Sequence, residues 1–299
     1  MRTVIGMDAG ATKTVGLCAD ESGRVVAEAR RGGANLQTHG ELELEKVFDD
    51  LLETLDPERQ AAALCLGIAG VDRPPEERVV SGILRRLGYR QRARVVNDAA
   101  IALVAGAPER WGLVVLSGTG SIVYGVDRSG RTARAGGYGY LLADEGSGYW
   151  LGHRALRAAV RGADDRGPQT RLTALVFEAL GVTSMAELVP RVYEEGLANH
   201  RIAALAGLVQ KASDEGDRLA GGFLEEGGAE LGLAARAVAR QLELAGQPFP
   251  VVLAGGAFKA CPGLVEPLTR ALEMPEARPA RLGVEPAQGA VTLALDLLG

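Results

Sequence analysis

One pattern occurs twice in this chain, and it constrains the fold more than any other feature. Near the start, the apolar stretch Val4-Ile5-Gly6-Met7 ends in Asp8, the small-residue turn Ala9-Gly10-Ala11-Thr12-Lys13-Thr14 follows, and Val15-Gly16-Leu17 leads away. Farther on, Leu113-Val114-Val115-Leu116 enters Ser117-Gly118-Thr119-Gly120-Ser121 and leaves as Ile122-Val123-Tyr124-Gly125-Val126. The next turns also match in kind: Asp20-Glu21-Ser22-Gly23-Arg24 and Asp127-Arg128-Ser129-Gly130-Arg131. Each copy reads as a β-hairpin closed by small residues, then a turn and a third strand. The repeat is one of fold rather than of sequence, and it predicts two related halves.

The turns have a chemistry of their own. Small residues let backbone N–H groups come close to an anion, and hydroxyls or a lysine can complete the cradle. An aspartate at the strand end, here Asp8, is placed to hold a hydrated Mg²⁺ beside bound phosphates. The same residues also suit an ordinary hairpin turn.

Between the two copies, strand and helix alternate. Strands are predicted at 3–9, 14–20, 24–30, 62–68 and 93–96. A helix at 40–55 follows from the spacing of Leu44, Val47, Phe48, Leu51, Leu52 and Leu55, and another is predicted at 75–88. Strands followed by βα units imply a mixed sheet covered by helices. From 147 to 246 the chain is mostly helical. A late strand, Pro250-Val251-Val252-Leu253-Ala254, runs into Gly255-Gly256-Ala257, and an apolar helix spans Pro286–Leu298. With 299 residues and 47% hydrophobic content there is material for two cores. The expected division is 1–107 and 108–286, with the C-terminal helix 287–299 returning to the first part.

The net charge of −5 gives no basic footprint for nucleic acid or an anionic membrane surface. No apolar run approaches the ~20 residues of a membrane span, and the N-terminus enters a strand directly, so a cytoplasmic protein is expected. Cys18, Cys65 and Cys261 lie far apart in apolar stretches, as buried reduced thiols do. His39, His153 and His200 lack metal-ligand spacing.

A third motif gives the halves a relationship. The run Gly136-Gly137-Tyr138-Gly139-Tyr140-Leu141-Leu142-Ala143-Asp144-Glu145-Gly146-Ser147-Gly148-Tyr149-Trp150, with the two hairpins and the late Gly-Gly in order, resembles the BadF/BadG/BcrA/BcrD ATPase family and, within it, the N-acetylglucosamine kinases. The resemblance covers nearly the whole chain. It implies an α/β fold of two ribonuclease H-like domains of the actin-like ATPase superfamily, with an interdomain cleft for ATP and sugar. It further implies Mg²⁺ at Asp8, nucleotide contacts from Gly10, Ala11, Thr12, Lys13, Gly118, Thr119, Gly120, Gly255, Gly256 and Ala257, and a homodimer.

For the sugar, the resemblance implies contacts from Asn35, Asp98, Gly137, Tyr138, Gly139 and Asp144. Asp98 would accept the proton of the attacking hydroxyl, since phosphoryl transfer needs a base that orients the nucleophile, and a carboxylate of ordinary pKa is ionised at neutral pH. Asp98 also suits N-capping of the helix Ala99–Ala105. Glu145 suits either a sugar contact or the N-terminus of the next helix.

Where N-acetylglucosamine kinases often carry a tryptophan, after Asn35, this chain has Leu36-Gln37-Thr38-His39. The expected activity is therefore phosphorylation of an amino sugar or hexose, foremost N-acetylglucosamine to its 6-phosphate. The alternatives are a broad hexose, glucosamine or N-acetylmuramic acid kinase, and an ATPase that activates a partner enzyme. The family's activators hold an iron–sulfur cluster between subunits through cysteines, and the three cysteines here offer no such arrangement.

Overall fold

The structure, a computed structural model, describes residues 2–34, 36–71, 74–90, 92–194 and 196–299, and for 36–39 the backbone only. Two five-stranded sheets carry the fold. The first is built from β1 (Thr3–Ala9), β2 (Lys13–Asp20), β3 (Val25–Gly32), β4 (Ala63–Ile68) and β5 (Ala93–Asn97), in the order β3-β2-β1-β4-β5. β1–β2 and β2–β3 are antiparallel, while β1–β4 and β4–β5 are parallel. The second contains β6 (Gly112–Ser117), β7 (Ser121–Val126), β8 (Thr132–Gly136), β9 (Phe249–Ala254) and β10 (Ala277–Arg281), ordered β10-β9-β6-β7-β8. Matching β1 with β6, β2 with β7 and so on makes the two orders identical. The duplication read from the hairpins thus extends to the whole sheet.

The helices among the described residues are α1 (Leu36–Leu55), α2 (Pro74–Arg86), α3 (Asp98–Gly106), α4 (Gly148–Ala163), α5 (Arg171–Leu180), α6 (Met185–Tyr193), α7 (Asn199–Ala204), α8 (Ala206–Asp214), α9 (Arg218–Gln241), α10 (Gly256–Ala260), α11 (Val265–Leu272) and α12 (Ala287–Leu295). None is both long and apolar enough to cross a membrane alone.

By contacts the chain forms two compact units. Unit one comprises Met1–Val114, Val126–Gly130 and Ala280–Gly299; unit two comprises Val115–Gly125 and Arg131–Pro279. In unit one the two-residue period of the strands sends side chains to opposite faces. Ile5, Met7 and Ala9 of β1 join Leu44, Phe48, Leu51 and Leu52 of α1 in one core. Val4, with Val15 and Leu17 of β2, joins Ile101 of α3 and Ala287, Ala290, Val291 and Ala294 of α12 in the other. β4 is buried along its entire length, as a strand covered on both faces must be.

The close seat of α12 explains Gly6. A β-carbon there would lie 2.4 Å from the Val291 nitrogen and 2.6 Å from the Ala287 oxygen. This contact fixes the start of α12, and the residue just before it, relative to β1.

Two elements differ from the sequence reading. α1 begins at Leu36 rather than at residue 40, with a break at Gly40, whose φ of 76° interrupts the helical path. β10 was not anticipated. Its five residues, Ala277-Arg278-Pro279-Ala280-Arg281, show no apolar alternation and include two arginines and a proline, which a sheet tolerates at its edge.

Candidate functional site

Parallel pairing decides what gathers at one end of the first sheet. The register sets Asp8 opposite Gly67, Gly67 opposite Val96, and Ile68 opposite Asn97. The carboxyl ends of β1, β4 and β5 therefore lie side by side, with Gly67 beside Asp8 and Asp98 directly after the end of β5. Open α/β sheets bind ligands at such ends. The two carboxyl groups feel each other. Burial, followed by the charge of Asp98, pushes the Asp8 carboxyl up to about 7, with Lys13 opposing the shift and Glu285 adding to it.

Asp98 is the first residue of α3, and the cap is its neighbour. Asn97 adopts extended geometry, and its Oδ1 accepts a hydrogen bond from the Ala99 nitrogen at 2.8 Å. Asp98 Oδ1 accepts from the same nitrogen at 2.9 Å. The capping role considered for Asp98 thus belongs to Asn97, because the helix starts one residue earlier than the apolar pattern suggested.

The turn between β1 and β2 is held by its own backbone and by the end of β3. Gly10 N–H donates to the Lys13 carbonyl at 3.0 Å, and Ala34 N–H donates to the Gly10 carbonyl at 2.9 Å. The buried Thr14 hydroxyl donates to the Gly32 carbonyl at 2.9 Å. Gly33 presses against the turn: a β-carbon there would sit 2.1 Å from the Ala11 oxygen and 3.0 Å from the Thr12 nitrogen. Asn35, the expected sugar contact, lies outside the described residues.

At the exit of the turn, Lys13 Nζ lies 3.0 Å from Glu285 Oε2. The other oxygen of Glu285 accepts from Arg30 Nη2 at 3.0 Å. Burial works to raise the Glu285 carboxyl, but hydrogen bonds and charge from Lys13 and Arg30 prevail and hold it below its ordinary value. Sequence reasoning missed Glu285, which is separated from Lys13 by 272 positions.

Unit two gathers a second set. Gly118 N–H donates to Gly120 O at 2.9 Å, closing the β6–β7 turn. That turn is tied to the Asp144–Gly148 run. Gly148 N–H reaches Gly118 O at 2.8 Å, Tyr149 N–H reaches Thr119 O at 3.1 Å, and the Ser117 and Ser121 hydroxyls donate to the Gly146 and Glu145 carbonyls at 2.9 and 2.8 Å. The N-cap of α4 is Ser147, whose Oγ accepts from Trp150 N.

Asp144 is buried and has a positive φ of 70°. Burial, with a smaller push from the Glu145 charge, raises its carboxyl above the ordinary value, against hydrogen bonds received from the backbone of Ser121 and Gly139. It therefore links the turn after β6 to the Gly137–Gly139 segment, where the cationic head of Arg134 sits 4.7 Å over the Tyr138 ring. Gly255 (φ 104°) backs onto the same turn, where a β-carbon would lie 2.1 Å from Ser117 O. Its bareness is explained by this contact within the protein; Gly256 has open space around it. Ala257 is buried.

Trp111 is buried, whereas Trp150 is partly exposed under the guanidinium of Arg154. All three cysteines are buried and free. Among the described residues no group of three or more His, Cys, Asp or Glu could hold a metal on its own. Any cation here must complete its shell with water or ligand oxygens, as Mg²⁺ at a nucleotide does.

Comparison with known proteins agrees with this architecture. Over 301 residues the chain is 34% identical to an N-acetylmuramic acid/N-acetylglucosamine kinase of Clostridium acetobutylicum, covering 98% of each. It is 30% identical over 310 residues to the N-acetyl-D-glucosamine kinase of Dictyostelium discoideum, covering 98% of this chain and 97% of that one. A crystal structure from Chromobacterium violaceum, assigned provisionally as an N-acetylglucosamine kinase, matches with a TM-score of 0.81 at 27% identity, covering 98% of this chain and 99% of that one. A ROK-family glucokinase from Streptomyces griseus, solved with glucose and AMPPNP, shares the fold, with a TM-score of 0.62 at 19% identity over 99% of this chain and 98% of that one. Residues 5–294 match the profile of one family, and the chain belongs to it: the BadF/BadG/BcrA/BcrD ATPase family.

Proposed function

We propose that this protein is an ATP-dependent kinase of amino sugars that transfers the γ-phosphoryl group of ATP to the 6-hydroxyl of N-acetylglucosamine. The observation that carries the reading is the near-full-length similarity to two kinases of that sugar, with Asp98 kept at the carboxyl end of β5 beside Asp8.

In this reading the turns 10–13 and 118–120 cradle the phosphates, as small-residue turns can, while the N–H groups of Gly10 and Gly118 stay engaged within the turns themselves. Asp98 takes the proton of the sugar hydroxyl as the oxygen attacks, and the N-terminus of α3 holds the carboxylate in place. Asp144, Gly137, Tyr138 and Gly139 shape the sugar side, together with Asn35. Mg²⁺ fits at Asp8, where two neighbouring carboxyl groups concentrate negative charge; when bound it would offset phosphate charge. Gly255, Gly256 and Ala257 lie toward the adenosine.

A second substrate, N-acetylmuramic acid, is favoured by the double specificity for which the C. acetobutylicum relative is named. Three buried free thiols suit a reducing compartment such as the cytoplasm, and a homodimer is the working assembly.

The test is ADP release from Mg-ATP with N-acetylglucosamine, N-acetylmuramic acid, glucosamine, glucose and N-acetylmannosamine. Release that depends on N-acetylglucosamine supports the proposal. Release indifferent to every sugar refutes it and points to an ATPase that activates a partner.

A further inference from the structure

Lys13 occupies the exit of the first phosphate turn, yet its ammonium is already engaged. Glu285, from the segment just ahead of α12, holds it at 3.0 Å. The position of Glu285 is set by the fold, because α12 is seated on β1 through a contact at Gly6 that leaves no room for a side chain.

The carboxylate is shared. Oε2 faces Lys13 at 3.0 Å, and Oε1 faces Arg30, also at 3.0 Å, with Lys13 reaching it at 3.4 Å. Arg30 is in turn held by Glu28 through its Nε at 2.6 Å. When Lys13 leaves, Glu285 keeps Arg30 as its partner, so the departure strands no unpaired carboxylate. The Lys13 side chain is 51% exposed, and an ion pair that open to water is weak. A multiply charged phosphate can therefore displace the single charge of a carboxylate.

We propose that Glu285 is a built-in competitor for Lys13: it occupies the lysine in the free protein, yields it when nucleotide phosphates arrive, and reclaims it as ADP departs. Glu285 is then a positioning residue that limits nucleotide affinity and hastens product release. The inference rests on the reading that turn 10–13 holds the phosphates of a nucleotide.

The sign of the effect separates this role from a structural one, since damage to the turn would loosen nucleotide binding whereas removal of a competitor tightens it. Calorimetric titration of the whole protein with Mg-ADP, without sugar, is the readout. Glu285→Gln keeps the shape and removes the charge; its ADP dissociation constant is expected to fall at least about threefold, the scale of one weak charge pair. Glu285→Asp, a methylene shorter, is expected between wild type and Glu285→Gln. In a Lys13→Met background the Glu285→Gln gain is expected to vanish.

Equal or weaker ADP binding by Glu285→Gln, with its melting temperature kept, overturns the inference. So does a gain that persists without Lys13, which would mark a general effect of charge. Failure of the wild type to bind Mg-ADP at all overturns the phosphate-turn reading along with it, whereas ADP binding that Glu285→Gln leaves unchanged sinks this inference alone.

Discussion

Gly33 passes the Ala11 carbonyl so closely that a β-carbon on it would stand 2.1 Å from the oxygen. Nothing flexible can give way, because both partners are backbone. Gly33→Ala must therefore push the β1–β2 turn off its path. Overpacking of this kind costs about 1–3 kcal/mol, and here the displaced atoms belong to the turn that the proposed function assigns to the nucleotide phosphates. The expected result is a lower melting temperature and a KM for ATP raised by an order of magnitude. Gly32→Ala is the control: no atom stands within 4 Å of its β-carbon position, and its effect should stay within about 0.5 kcal/mol of wild type.

Asn97 and Asp98 divide two duties that either residue type could perform. Asn97→Ala removes the cap from α3 and should cost about 1 kcal/mol of stability. Asp98→Asn keeps the shape and removes the carboxylate that the proposed function uses as the base. Turnover should fall by about 10²- to 10⁴-fold while Mg-ADP binding, read by titration, stays near wild type. Turnover within a few-fold of wild type would remove Asp98 from the role of base.

Legibility in the sequence followed the range of the forces involved. The hairpins, the α1 stripe and the late strand before Gly255 were readable because alternation and i, i+3, i+4 spacing are local. β10 was not, since an edge strand of Arg, Pro and Ala owes its conformation to its neighbour β9. The start of α3 was off by one residue because Asn97 and Asp98 are both good caps, and only backbone geometry separates them. Glu285 was invisible because its partner Lys13 lies at the other end of the chain and no local pattern marks the pair. The need for glycine at 33 and 255 likewise comes from tertiary approach, to Ala11 and Ser117.

Asp144 joins two backbone segments by accepting from Ser121 and Gly139. Asp144→Ala would leave those donors without their carboxylate, and a buried donor left unmade costs about 1–3 kcal/mol. The melting temperature should drop, and the KM values for both sugar and ATP should rise, because the turn after β6 and the 137–139 segment lose their common anchor. A rise confined to the sugar KM, at unchanged stability, would instead mark Asp144 as a sugar contact alone.

Asp8 makes the free protein sensitive to pH, in a direction that its environment dictates. Burial first, then the charge of Asp98, raises its carboxyl from an ordinary 3.8 to about 7. The folded chain thus holds this proton more tightly than the unfolded chain does. The resulting stabilisation is fully present below 3.8, fades as the pH climbs, and is gone once the pH passes about 7. Asp8→Asn carries no proton to lose at this position. Melting of the ligand-free proteins from about pH 5 to about pH 8 should therefore show the wild type losing ground to Asp8→Asn up to about pH 7, with no further loss above it. A constant gap between the two curves would show that Asp8 titrates normally. In the proposed function the same charge would hold the cation. A protonated Asp8 has nothing to offer Mg²⁺, so the Mg²⁺ concentration needed for half-maximal sugar phosphorylation should rise as the pH falls below about 7, and that rise should be absent in Asp8→Asn.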